Sequence, residues 1–122
     1  MSKFAPIVIL VILVGGGVMY FLLQSPADSV PVYAEVIEMR DDAYEPANIT
    51  IPAGTSVTFK NTGSANRWPA SNIHPTHQIF PEFDSARPIV PQESWTFRFE
   101  KPGIWRWHDH LEPTLTGTIT VE

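Results

Sequence analysis

The sequence predicts an all-β sandwich of about seven strands preceded by one N-terminal transmembrane helix. Three observations lead there. Residues 4–23 form an almost unbroken apolar run. After residue 31 the texture changes to short segments rich in Val, Ile, Thr, Phe and Trp, several alternating apolar and polar side chains with period two. Twelve Pro and seven Gly in 122 residues disfavour an all-helical body.

The apolar run is long enough to cross a bilayer core as a helix, and nothing on it is polar enough to make a solvent face. Lys3 before the run, with no basic cluster close behind it, keeps the N-terminus in the cytoplasm and places the C-terminal domain outside. The expected location is therefore the cell membrane, with a periplasmic or extracellular domain. Ser25-Pro26-Ala27 has small residues where a signal peptidase cuts, so anchor and cleaved signal both stay open. The expected organisation is a membrane segment over 1–24, a polar, Pro-containing tether over 25–31 and one domain over 32–122.

The net charge is −5, and becomes −6 once the positive charge of Lys3 is set aside with the membrane segment. An acidic domain without a basic cluster excludes nucleic acid and an anionic lipid surface as partners. The absence of cysteine removes disulfides, thiolate catalysis, iron–sulfur clusters and Cys-type zinc sites.

Strands are predicted over 32–39, 48–51, 55–60, 77–80, 94–100, 104–109 and 116–121. Val57 and Phe59 alternate with Thr58 and Lys60; Trp95, Phe97 and Phe99 with Thr96 and Arg98; Ile119 and Val121 with Thr118 and Thr120. Each pattern buries one face and wets the other. Pro52-Ala53-Gly54 and Lys101-Pro102-Gly103 read as turns. Residues 61–76 make a long loop, of a length that tends to carry function. Glu82 and Asp84 read as a solvated loop, and Trp68, Trp95, Trp105 and Trp107 as core and rim packing.

All four histidines lie in two clusters: His74 and His77 at the end of the long loop, His108 and His110 at the end of a predicted strand. A lone histidine is ordinarily a surface or backbone-satisfied residue. Two tight pairs instead point to a metal, because imidazole is the commonest neutral ligand for copper and zinc. Positions two apart on a strand share a face, roughly 6.5–7 Å apart, so His108 and His110 can converge while Asp109 points the other way. Whether Asp109 or Glu112 also ligates stays open. No Gly-rich phosphate loop, nucleophile elbow or helical zinc-protease motif is present.

From about Tyr44 to Val121 the chain resembles a cupredoxin. Tyr44-Glu45-Pro46 and the stretch from Ile49 to Asn61 are similar to that family's N-terminal strands. Lys101-Pro102-Gly103-Ile104-Trp105-Arg106-Trp107 is similar to its Pro-Gly-x-aromatic-x-aromatic strand, and Gly117-Thr118-Ile119-Thr120-Val121 to its closing strand. The resemblance implies a Greek-key sandwich and copper. The family's ligands are a His, then Cys, His and Met on the last loop. The first falls on His77; the other three fall on Asp109, Glu112 and Leu115, counting back from Gly117. Without a thiolate the usual blue centre cannot form. Gly103-Ile104-Trp105-Arg106-Trp107-His108-Asp109-His110 also resembles the Gly-x-aromatic-x-aromatic-His-x-His segment of multicopper oxidase domains, which implies that His108 and His110 are outward-looking ligands.

Two site arrangements follow: His74 and His77 meeting one or both of His108 and His110 at the end of a single sandwich, or His108 and His110 sharing metal with a neighbouring subunit of an oligomer. The expected function is a membrane-tethered copper-binding protein with a His-rich, non-blue, type-2-like site. Copper, with zinc as the other candidate, is the expected cofactor. A redox or copper-donor protein is the expected partner. A metal-free interaction module and a small copper oxidoreductase are the alternatives, with no catalytic residue assigned.

Overall fold

The computed structural model describes residues 8–14, 17–23 and 33–122. The chain divides into two units, the second spanning Val32–Glu122. In the first, β1 (Val8–Val14) and β2 (Gly17–Leu23) pair antiparallel. The helix expected over 4–23 also takes in 4–7 and 15–16, which lie outside the described residues, as does the whole tether expected over 25–31. Among the described residues no helix is long and apolar enough to cross a membrane.

The second unit is an eight-strand sandwich: β3 (Ala34–Met39), β4 (Tyr44–Glu45), β5 (Asn48–Ile51), β6 (Thr55–Asn61), β7 (Pro69–Ser71), β8 (Ser94–Phe99), β9 (Gly103–Asp109) and β10 (Thr116–Val121). One sheet has the order β5-β10-β9-β7, the other β4-β3-β6-β8. The β10–β5 and β3–β6 pairs are parallel; the rest are antiparallel. Period-two alternation sets the core: Ile37 and Met39, Val57 and Phe59, and Ile119 and Val121 are buried between the sheets. Gly54 closes the turn after Pro52 at φ +93°, in the left-handed region that glycine enters without a Cβ penalty.

Six of the seven expected strands form, with ends displaced by a residue or two. The strand expected over 77–80 does not. His77 sits at φ +55° and its N–H bonds to Ile73 O at 2.7 Å, so the chain there curls into turns. Its apolar residue Phe80 is buried all the same, packed edge-on against Phe97. Apolar content without a pairing partner makes a plug here, not a strand. The two added strands, β4 and β7, span two and three residues, too short for a periodic signal.

Trp107, on β9, is fully buried, with its ring 4.5 Å from that of Tyr44. Gly117 on β10 lies opposite it, and a methyl there would strike the Trp107 ring and the Ala47 carbonyl. Trp107→Ala is expected to cost about 3–5 kcal/mol of stability in a denaturant titration; near-native stability would put the ring outside the core.

Candidate metal centre

Strand β9 carries two kinds of side chain to one end of the sandwich. Trp105 and Trp107 pack against or within the core. Asp109, fully buried, follows with the same parity, and its Oδ2 accepts the Tyr44 hydroxyl at 2.6 Å and the Trp68 N–H at 3.1 Å. Its Oδ1 accepts the Leu111 and Glu112 N–H groups at 2.8 and 2.9 Å. Four donors on one carboxylate fix the strand end and the turn after it. His108 and His110, of opposite parity, point to the other face.

That face is covered by the loop between β7 and β8. Asn72 N–H bonds to Arg106 O at 2.9 Å, Ser71 N–H to Phe83 O at 2.7 Å, and the Ser71 hydroxyl lies 3.0 and 2.8 Å from the His77 and Phe80 carbonyls. With Phe80 and Phe83 anchored in the core, the loop is held by burial and by hydrogen bonds at once.

The result is a cluster of all four histidines, one ring nitrogen of each lying within 4.8 Å of all the others. His77 and His108 are buried, His110 half-buried and His74 exposed. His74 Nδ1 lies 3.2 Å from His108 Nε2, and His77 Nε2 lies 3.1 Å from His110 Nδ1. Metal–imidazole bonds of roughly 2.0–2.1 Å place neighbouring donors roughly 2.8–3.4 Å apart, from square-planar to tetrahedral arrangements. Both close pairs fall in that interval, so the four histidines could hold a metal ion. A single chain brings them together without a second subunit.

The hydrogen bonds behind the rings assign the tautomers. His77 Nδ1–H donates to Asp84 Oδ2 at 2.7 Å, and His108 Nδ1–H to Asn72 Oδ1 at 2.9 Å. Both buried rings therefore present a bare Nε2 to the cluster. His74 and His110 then donate from Nδ1 to those nitrogens, and must move their protons to the opposite nitrogen before ligating. Asp84 is further held by the Trp68 indole N–H at 2.7 Å and the Ala86 N–H at 2.8 Å. Burial raises the Asp84 pKa, but these donors outweigh it and hold the carboxyl below its ordinary range.

Of the positions that resemblance to a blue-copper loop singles out, Asp109 faces away from the histidines and serves as a structural acceptor. Glu112 is exposed and accepts from the Thr114 hydroxyl. Leu115 packs against the core. Asp84, Asn72 and Trp68 were not among the expected site residues. Asp84 reads as solvated from its Pro-Glu-Phe-Asp context, and only the folded loop puts it behind His77.

Burial is the main cause that lowers the His108 pKa to about 4, with the other three histidines adding to it; burial, then His77 and His74, lower that of His110. Between pH 6.5, where these groups ordinarily titrate, and about 4, the unfolded chain binds protons that the folded chain does not. Stability therefore rises with pH across that window. Metal-free protein is expected to lose on the order of 3 kcal/mol through His108 as pH falls from 6.5 to 4. Chemical denaturation across this range checks it, His108→Asn flattening the dependence.

A search of curated proteins by sequence gives no match. Among solved structures, the purple cupredoxin from Nitrosopumilus maritimus is 25% identical, with a TM-score of 0.61 over 71% of this chain and 98% of that one. A reduced amicyanin variant is 18% identical with a TM-score of 0.64, over 77% of this chain and 87% of that one. Another amicyanin variant, in its Cu(I) form, gives the same identity, score and coverage. The amicyanin likeness is one of fold. A family model described as the cupredoxin-like domain matches residues 11–121, almost the whole sequence, and the chain belongs to that family.

Proposed function

We propose that the chain is a membrane-tethered, extracytoplasmic cupredoxin-like protein whose four histidines hold a non-blue copper ion, for copper handling or electron transfer. The observation that carries this reading is the convergence of His74, His77, His108 and His110 within 4.8 Å. The donor set suits the ion. Four neutral imidazoles favour Cu(II) or Zn(II), and copper stands above zinc in the general order of divalent affinities. One carboxylate, Asp84 behind His77, places a negative charge beside the cluster. With no thiolate in the sequence, the strong charge-transfer colour of a blue centre is not expected.

Four imidazoles fill a four-coordinate set. Centres that hold metal close their coordination, whereas catalytic ones keep a position open. The arrangement thus favours holding the ion or passing an electron over substrate turnover. A redox or copper-donor partner would approach from the side of His74, the exposed member of the four.

A Cu(II) titration of the full chain in detergent, followed by EPR, is expected to saturate at one copper per chain with nitrogen hyperfine structure from several imidazoles. His77→Ala and His110→Ala are each expected to weaken Cu(II) by roughly tenfold or more. Unchanged affinity in both would overturn the reading.

The tether rests on the apolar run over residues 4–23. In hydrocarbon a two-stranded pair leaves edge N–H and C=O groups unsatisfied, whereas a single helix pairs them within itself. The run is therefore read as helical in a bilayer. Expressed full-length, the protein is expected to stay with membranes through an alkaline wash, its domain open to protease added from outside. Release into the wash, or protection from that protease, would overturn the tether or its orientation.

A further inference from the structure

The stretch from Asn66 to Pro75 and the carboxylate of Asp84 do more than close a loop. Asp84 is fixed from three sides: Oδ2 takes the His77 Nδ1–H at 2.7 Å, Oδ1 takes the Trp68 indole N–H at 2.7 Å and the Ala86 N–H at 2.8 Å. Its backbone forms a bridge with Ala70 on β7. Trp68 in turn holds His110, its carbonyl accepting the His110 N–H at 2.7 Å and its ring lying 4.7 Å from the His110 ring. The second buried histidine, His108, has a different partner, the neutral amide oxygen of Asn72 at 2.9 Å. The two inner ligands thus differ in the charge behind them.

We propose that Asp84, oriented by the Trp68 indole, is a positioning residue that biases the four-histidine centre toward divalent metal. The inference rests on the reading of that cluster as a copper site. A carboxylate on the remote N–H of a ligating imidazole fixes the ring and makes its bare nitrogen a stronger donor. Its negative charge also attracts a dication more than a monocation at the same distance. Cu(II) and Zn(II) therefore gain from Asp84 more than Cu(I) does. Asn72 orients His108 without that charge, so the bias enters the cluster through His77.

The test compares the full chain with Asp84→Asn, which keeps the side-chain volume and an oxygen for the His77 N–H but removes the charge. Affinities for Cu(II), Zn(II) and Cu(I) are measured by chelator competition, and the reduction potential by titration. Cu(II) and Zn(II) are expected to weaken by about 10–100-fold, and Cu(I) by less. The potential then rises by about 59 mV for each tenfold difference between the two copper states. Trp68→Phe keeps a ring against His110 and removes the donor to Asp84; it is expected to shift the potential in the same direction by less, and it carries the comparison if Asp84→Asn does not fold. Equal losses for Cu(II) and Cu(I), with the potential unmoved, would reduce Asp84 to a structural role and overturn the proposal. A native chain that fails to bind Cu(II) stoichiometrically would overturn the copper reading itself, so the two failures are told apart.

Discussion

The carboxylate of Asp109 is the point on which the rest of the candidate centre hangs. It is fully buried, and an unpaired charge there would be prohibitive. Its four donors come from three parts of the chain: the Tyr44 hydroxyl, the Trp68 backbone, and the Leu111 and Glu112 backbone beyond β9. Satisfying one anion thereby ties β4 to the entry of β7 and to the turn after β9. It also decides which way β9 faces. With Asp109 turned inward beside Trp107, the neighbouring His108 and His110 have to turn outward.

A second layer completes the arrangement. The loop after β7 owes its place to Phe80 and Phe83 in the core and to Ser71 and Asn72 at its base. Both buried histidines then receive an oxygen acceptor on Nδ1, a carboxylate for His77 and an amide for His108. Adding a proton to one of four buried, crowded rings is unfavourable, and burial with repulsion from the neighbouring histidines lowers the His108 and His110 pKa values. The same crowding is what a cation relieves. At the position where the resemblance to blue-copper proteins puts a thiolate ligand, Asp109 faces the scaffold, and the two histidines flanking it face the candidate centre.

Much of this was legible in the chain. The alternation of Val57 and Phe59, and of Ile119 and Val121, marks strands with one buried face, because period two is a local property of extended backbone. The two histidine pairs were legible for a related reason: His108 and His110 share a strand face, and His77 lies where the resemblance to cupredoxins puts a ligand. The residues missed were those whose role depends on distant partners. Asp84 sits in a polar context and reads as solvated, yet its loop is drawn in by Phe83 and meets His77 and Trp68. Phe80 reads as part of a strand by its neighbours, but it lies in turns that join neither sheet.

By itself the sequence determined the fold class, the cysteine-free chemistry and the identity of the four imidazoles, all of which follow from composition and short-range periodicity. Only the tertiary structure decided that the four meet at one end of a single chain, which four donors hold Asp109 on the inner face and that Asp84 and Asn72 stand behind the inner pair. These are contacts between residues far apart in sequence, such as His74 and His108, separated by 34 in residue number. They exist only once core burial has brought the loop after β7 across the end of β9, and no local pattern encodes that closure.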